Sequence, residues 1–123
     1  MPIKILVAED DRFLSKVYTT KFEKAGYEVK NALDGTEVFQ ILQNFTPDVI
    51  LLDLIMPLKD GFLTLKELKS NDKYKNIPVI IASNLGQKDE IDKGISLGAA
   101  DYLVKSDTTI EKLIEKVNKL VSK

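Results

Sequence analysis

Hydrophobic residues recur along this chain in two alternating patterns: short continuous runs, and longer stretches in which they stand three or four positions apart. Short runs rich in Val, Ile and Leu are typical of strands buried on both faces, whereas the wider spacing is typical of amphipathic helices. The runs predict five strands, at residues 3–8, 27–31, 48–52, 77–82 and 100–104. The stretches between and after them predict five helices, of which the last three cover about residues 62–70, 88–97 and 108–121.

The first two helices are placed by their ends and their apolar faces. Gly26 stands where a helix often ends, just past the C-cap. Asp34 and Glu37 resemble a capping box that starts the second helix. The predicted inner faces are Phe13, Leu14, Val17, Tyr18, Phe22 and Ala25 in the first helix, and Val38, Phe39, Ile41, Leu42 and Phe45 in the second.

The remaining helices differ in how well the sequence specifies them. The fourth is the least well specified, because Gly94 interrupts it. The apolar faces of the other two are Phe62, Leu65 and Leu68 in the third helix, and Ile110, Leu113, Ile114, Val117, Leu120 and Val121 in the fifth. Strict alternation of strands and helices predicts an α/β fold with a parallel sheet and right-handed crossovers. We expect residues 1–123 to form one domain, with no effector domain among them.

Composition narrows the chemistry. The chain has 123 residues and a net charge of -1, which argues against a surface built to bind nucleic acid or an anionic membrane. It has no cysteine and no histidine, which excludes disulfides, thiolate zinc sites and a histidine base. Any chemistry must therefore depend on carboxylates, hydroxyls, lysine and a hard cation bound by oxygen. No apolar run is long enough for a signal peptide or a membrane span, so we expect a cytoplasmic protein.

Polar side chains stand at the ends of four predicted strands. The acids Glu9, Asp10 and Asp11 follow the first strand and Asp53 follows the third, while Ser83 and Lys105 follow the fourth and fifth. In a parallel sheet these ends share one edge, where ligands bind at the point at which the strand order reverses. Acids, a hydroxyl and a lysine at such an edge form a plausible site for phosphate and a divalent metal.

Together these residues resemble the response-regulator receiver domain, the CheY-like family of two-component signalling. The resemblance covers essentially the whole chain. It rests on the segment Ile5 to Asp11, on Asp53 with Met56-Pro57 and Asp60-Gly61, on Ser83, and on Tyr102 with Lys105. It implies a flavodoxin-like sheet with strand order 2-1-3-4-5 and helices on both faces.

The resemblance also implies a role for each site residue. Asp53 is the expected phosphoacceptor and, with Asp10 and the backbone carbonyl of Ile55, a ligand of Mg²⁺. Glu9 is expected to hold the metal through water, and Lys105 to pair with Asp53 and contact the phosphoryl group. Ser83 is the expected switch hydroxyl and Tyr102 the aromatic side chain that follows it. Asp11 has a simpler expected role, as the N-cap of the first helix.

The implied function is a phosphorylation switch. A sensor histidine kinase or a histidine phosphotransfer protein donates the phosphoryl group, and the protein catalyses only its own phosphorylation and dephosphorylation, so it is not an enzyme acting on other substrates. Phosphorylation then shifts the surface formed by helix four, strand five and helix five, which controls an unidentified protein partner. No direct contact with nucleic acid or membrane is expected, and the chain is expected to be a monomer or a weak homodimer.

Two positions depart from the family pattern, and two others bear on how long the phosphate is retained. Ser106 follows Lys105 where proline is usual, so the peptide bond between them is open to either isomer. Asn84 stands where a small residue is usual and is expected to narrow access to Asp53. Ile55 and Leu85 are apolar at positions that flank the attacking water, which predicts slow loss of phosphate.

Other functions remain open at this point. A receiver-like module that binds partners without phosphate is compatible with Asn84 and Ser106. A phosphatase with an aspartate nucleophile normally carries a second aspartate where this chain has Ile55. A flavodoxin-like cofactor binder would need a glycine-rich loop after the first strand, which this sequence lacks.

Overall fold

The computed structural model describes residues 2–56 and 60–121. Strands and helices alternate along them, and an additional 3₁₀ turn, Lys105–Asp107, follows the last strand. The strands are β1 (Lys4–Ala8), β2 (Glu28–Ala32), β3 (Val49–Leu52), β4 (Val79–Ser83) and β5 (Asp101–Val104). The helices are α1 (Arg12–Lys24), α2 (Gly35–Leu42), α3 (Gly61–Ser70), α4 (Lys88–Ser96) and α5 (Ile110–Val121).

All strand pairs are parallel, and the sheet order is β2-β1-β3-β4-β5. This confirms the predicted α/β class and the 2-1-3-4-5 order. The order reverses between β1 and β3, which pair with Ile5 opposite Val49 and Ala8 opposite Leu52. The ends of these two central strands therefore form the crevice in which this type of sheet binds ligands.

Alternating residues of the strands pack into two separate hydrophobic cores, one on each face of the sheet. On one face, Leu6 and Ile50 belong to a cluster that also includes residues of α2, α3 and α4. On the other face, Ile5 and Val7 pack with residues of α1 and α5. This period of two is what a sheet covered on both sides requires, and it explains the unbroken apolar runs. Among the described residues, no helix combines the length and the apolar character needed to cross a bilayer.

The predicted inner face of α1 is wrong at two positions. Phe13 is 79% exposed and Ala25, at the C-cap, is also exposed, whereas Ser15 is buried together with Tyr18 and Phe22. At about 100° per residue, Phe13 lies roughly on the opposite side of the helix from Phe22. The inward-facing stripe is therefore narrower than the predicted one.

Several element bounds also differ from the predictions. β4 begins at Val79 because Pro78 has no amide to donate to the ladder, and Ser83 is then the last residue of the strand. α2 ends at Leu42, so Phe45 is buried but lies outside the helix. α5 begins at Ile110 because the 3₁₀ turn intervenes.

The predicted helix ends agree better with the structure. Asp11 caps α1 by accepting a hydrogen bond from the Leu14 amide at 3.1 Å, and Gly26 follows the C-cap with φ of 93°. Asp34 accepts from the Glu37 amide at 2.8 Å, but Glu37 reaches the amide of Leu33 rather than that of Asp34.

Candidate functional site

Three carboxylates converge where β1 and β3 end. Oxygen atoms of Glu9, Asp10 and Asp53 all lie within 4.8 Å of one another. Glu9 and Asp53 are buried, at 2% and 6% exposure, whereas Asp10 is exposed. Because Ala8 lies opposite Leu52 in the parallel register, the residues that follow these two strands meet at one place.

Lys105 reaches this cluster from the end of β5. Its Nζ donates a hydrogen bond to Oε1 of Glu9 and lies 3.2 Å from Oδ2 of Asp53. Burial disfavours the ammonium, but the hydrogen bond with Glu9 and the negative charges of Asp53 and Glu9 outweigh it, so the pKa of Lys105 is raised. The side chain is only 14% exposed, so this cation is held within the cluster rather than in solvent.

Glu9 is the carboxylate most affected by its surroundings. Burial raises its pKa from 4.5 to about 7, and the charge of Asp53 adds to the rise, while the hydrogen bond from Lys105 opposes it. Its backbone amide donates to the Ala32 carbonyl at 3.0 Å, and its Oε2 accepts from the Asp11 amide at 3.1 Å. Glu9 therefore acquires its charge near neutral pH, at a position fixed by β2 and by the start of α1.

Asp53 is fixed by close backbone packing. Its amide donates to the Ala8 carbonyl at 2.9 Å, and its Oδ1 accepts weakly from the Ile55 amide at 3.4 Å. A Cβ atom on Gly61 would overlap the Asp53 carbonyl and the backbone of Leu54, so only glycine fits at the start of α3. Asp60 caps the same helix by accepting from the Leu63 amide at 2.9 Å. Gly61 also donates its amide to the Leu54 carbonyl at 2.8 Å, so α3 begins in direct contact with the backbone that follows β3.

The side chains of Ser83 and Tyr102 both form hydrogen bonds with the backbone of Leu85, in the loop after β4. Ser83 is fully buried, and its Oγ accepts from the Leu85 amide at 3.2 Å. The Tyr102 hydroxyl donates to the Leu85 carbonyl. Burial raises the pKa of Tyr102, and the negative charge of Glu90 adds to the rise. The loop after β4 is therefore joined to both side chains that we expect to act as a switch.

The donor set suits a hard divalent cation. Three carboxylates supply oxygen ligands of the kind that Mg²⁺ prefers, and the exposed Asp10 leaves room for the waters that Mg²⁺ retains. Ile55, whose carbonyl we expect to be a further ligand, is 58% exposed and lies directly beyond Asp53 and Leu54. Pro57, part of the predicted motif, lies outside the described residues.

Two sets of contacts, one in the site and one behind it, were not predicted from the sequence. The sequence suggested the pairing of Lys105 with Asp53, but not its hydrogen bond to Glu9. It also gave no reason to connect Asn31 with the loop of Glu9, Asp10 and Asp11. The side-chain amide of Asn31 donates to the Ser15 hydroxyl at 2.9 Å, and the Ser15 backbone amide donates to the Asp11 carbonyl at 2.8 Å. Asparagine is disfavoured in strands, so its place in β2 was an available signal. The Lys105–Ser106 peptide, left open above, is trans.

Known proteins resemble this chain in sequence and in fold. The model of the response regulator receiver domain family matches residues 5–118. A curated relative, the DNA-binding dual master transcriptional regulator RpaA of Synechocystis, is 34% identical over 96% of this chain. The match covers 48% of RpaA, and this chain spans about half or less of the length of the curated relatives considered.

Solved structures give the same result. The receiver domain of the Francisella response regulator 1452 is 38% identical, with a TM-score of 0.89, covering 97% of this chain and 96% of that one. The Mn(2+)-bound form of the response regulator Rcp1 is 27% identical, with a TM-score of 0.85, covering 98% of this chain and 96% of that one. The fold and the acidic edge define a CheY-like receiver domain. The chain belongs to the response regulator receiver domain family of two-component signalling.

Proposed function

We propose that this chain is a Mg²⁺-dependent phosphorylation switch whose phosphoacceptor is Asp53. The observation that carries the proposal is the position of Asp53, a buried carboxylate that shares one cluster with two other acids and an ion-paired lysine. A buried carboxylate needs compensation for its charge. Here Lys105, together with the divalent cation that the acids would bind, would supply it and would also stabilise a phosphoryl group.

The proposed step is an in-line transfer from a phosphohistidine. A carboxylate oxygen of Asp53 forms a bond to phosphorus while the P–N bond of the donor breaks, and the electron pair leaves with the imidazole, which takes a proton. Lys105 faces Asp53 at 3.2 Å and is placed to neutralise the incoming phosphoryl group. Asp10, Asp53 and the Ile55 carbonyl would hold Mg²⁺ directly, and Glu9 through water. When bound, Mg²⁺ offsets the charge that gathers on the phosphoryl oxygens.

Support for the metal comes from the donor set and from a relative. Among the described residues, the three carboxylates bring up to three negative charges beside the ammonium of Lys105, so a divalent cation would restore the balance. A structure of the similar regulator Rcp1 is of its Mn(2+)-bound form. Mn²⁺ and Mg²⁺ both favour octahedral oxygen ligands.

The output proposed for the switch is conformational. Ser83 would turn to the phosphoryl group and release Leu85, and Tyr102 would follow because its hydroxyl bonds the same residue. α4, β5 and α5 would then present a different surface to a protein partner. In this proposal the chain acts in the cytoplasm as a monomer or weak homodimer, catalyses only its own phosphorylation and dephosphorylation, and does not itself bind nucleic acid.

Exposed apolar side chains near the acids support a protein as the phosphodonor. Phe13 lies two residues past Asp11 and is 79% exposed, and Ile55 lies two residues past Asp53 and is 58% exposed. Single exposed apolar side chains are common, so the support comes from the position of these two, each of which lies two residues past an acid at this edge of the sheet. A kinase or phosphotransfer protein that delivers its histidine to Asp53 would contact both.

The test is the intact mass of the protein after incubation with acetyl phosphate. We expect one phosphate adduct that requires Mg²⁺, is abolished by a chelator and is absent in Asp53→Asn. An adduct that persists in Asp53→Asn would place the phosphate elsewhere. If no adduct forms with either the wild type or Asn84→Ala, the chain acts as an interaction module without phosphate. The proposal would then be wrong.

A further inference from the structure

A polar cluster of Ser15, Thr19 and Asn31 lies between α1 and β2, away from the predicted site. The side-chain amide of Asn31 donates to the Ser15 hydroxyl at 2.9 Å and to the Thr19 hydroxyl at 2.8 Å. The Thr19 hydroxyl donates in turn to the Ser15 carbonyl at 2.9 Å. Ser15 is 5% exposed, so its hydroxyl needs such a partner. Directional bonds fix α1 against β2 more specifically than apolar contact does.

The same cluster is joined by hydrogen bonds to Glu9, Asp10 and Asp11, the segment between β1 and α1 that we call the acidic loop. The Ser15 amide donates to the Asp11 carbonyl at 2.8 Å, and the Asp11 amide donates to Oε2 of Glu9 at 3.1 Å. A path therefore runs from Asn31 through Ser15 and Asp11 to Glu9. Asp10 lies inside this path, between the two residues that it connects.

β2 thus holds the acidic loop at two points. One is a backbone bond from the Glu9 amide to the Ala32 carbonyl at 3.0 Å. The other is the side-chain path that starts at Asn31, the neighbour of Ala32. Replacing the Asn31 side chain removes the second attachment and leaves the first, along with the sheet ladder, in place.

We propose that Asn31 is a positioning residue for the cation site, holding Glu9 and Asp10 in place through Ser15 and the first turn of α1. The inference rests on the proposed function, since it concerns the Mg²⁺ that phosphorylation of Asp53 would need. Mg²⁺ demands near-ideal octahedral geometry, so a small shift of the loop weakens binding. Removing a group directly behind a ligand lowers metal affinity about 10–100-fold, and Asn31 is more remote, so we expect about three- to tenfold.

The test is a Mg²⁺ titration of the metal-free protein without phosphodonor, followed by NMR through the backbone amides of residues 9–11. We expect Asn31→Val and Ser15→Ala each to raise the dissociation constant about three- to tenfold. Combining them should add little, because both break the same path. The matched control is Asn71→Val, which removes a 2.8 Å side-chain bond to the Lys73 amide at the far end of α3.

A second readout separates positioning from general loosening of the fold. Asn31→Val should raise the Mg²⁺ concentration needed for half-maximal phosphorylation by acetyl phosphate, with the rate at saturating Mg²⁺ within twofold of wild type. An unchanged dissociation constant in both Asn31→Val and Ser15→Ala overturns the inference, as does an equal change in Asn71→Val. Wild-type protein that binds no Mg²⁺ overturns it outright. Binding with the expected shifts but no adduct on Asp53 supports the positioning role and refutes only the proposed function.

Discussion

The ionisation of Glu9 depends strongly on the fold. Its pKa rises from 4.5 to about 7 in the folded protein, so between these values the native state holds a proton that the unfolded chain has lost. The stabilisation from this proton is fully present below pH 4.5 and is lost as the pH rises through 7. The chain has no histidine and no cysteine, so few other groups titrate in this window.

We therefore predict that the metal-free protein becomes less stable from pH 5 to pH 8, by up to about 3 kcal/mol. Urea unfolding at several pH values in the presence of a chelator measures this. Glu9→Gln should flatten the dependence, because a neutral amide replaces the group that titrates. If the free energy of unfolding falls equally steeply with pH in Glu9→Gln, the pH dependence comes from groups other than Glu9.

Ile55 and Leu85 are the residues that we expect to set the lifetime of the phosphorylated form. Ile55 is exposed and Leu85 half-buried, and neither can hydrogen-bond a water that attacks phosphorus through its side chain. Ile55→Asn should speed dephosphorylation about tenfold, the equivalent of one hydrogen bond to that water. The decay of the phosphate adduct after removal of phosphodonor measures this, with Ile55→Val as control. Fast decay in the wild type, insensitive to polar substitution at both positions, would contradict it.

α4 shows how close packing governs an element that its sequence specifies weakly. The helix continues through Gly94, which is buried against the sheet. A Cβ there would lie 2.7 Å from Cδ1 of Ile81 and 3.0 Å from Cδ2 of Tyr102. The absent side chain allows α4 to approach the sheet and holds the Tyr102 ring beneath it.

We predict that Gly94→Ala destabilises the protein by about 1 kcal/mol, since overpacking of about 1–3 kcal/mol exceeds the helix-propensity gain of about 1 kcal/mol. Urea unfolding gives the free energy, and NMR of the Tyr102 ring should show it displaced. At the exposed position 92 of the same helix, the difference in stability between Asp92→Ala and Asp92→Gly gives the propensity gain without the overlap. If Gly94→Ala stabilises the protein by that same difference, the close approach of α4 does not limit stability.

Elements were easier to predict than the directions in which their side chains point. Each predicted strand and helix is present, because apolar periodicity depends on neighbours along the chain. Phe13 was misassigned because its direction depends on how α1 rotates against the sheet, which periodicity alone does not fix. In the same way, strand ends placed Glu9, Asp10, Asp53 and Lys105 at one edge. The hydrogen bond between Lys105 and Glu9 depends on tertiary packing, which brings together residues 96 positions apart.

At the scale of the whole molecule, the carboxylates of Glu9, Asp10 and Asp53 repel one another and so lower the stability of the fold. Three carboxylates share a small volume with the ammonium of Lys105. Two of them are buried, where unlike bulk water the surroundings screen charge poorly. Folding therefore carries a cost at this edge that a bound divalent cation would remove.

We predict that Mg²⁺ at ten times its dissociation constant stabilises the protein by about 1.4 kcal/mol. Thermal unfolding with and without Mg²⁺ measures the effect. The stability of Asp10→Asn relative to wild type should change sign when Mg²⁺ is added. This variant should be more stable than wild type without Mg²⁺, because one repelling charge is gone, and less stable than wild type with Mg²⁺. Equal responses of the two proteins to Mg²⁺ would remove Asp10 from the ligand set.

The strands at the two margins of the sheet have a consequence for self-association. β2 carries the exposed charged residues Glu28 and Lys30, and β5 begins with Asp101, which is half-exposed. Charges on an outer strand discourage a second molecule from adding its own strand and growing a continuous ribbon of sheets. Two copies that associate are therefore expected to meet through their helices, and concentrated protein should resist the amyloid-like aggregation to which uncharged outer strands are prone.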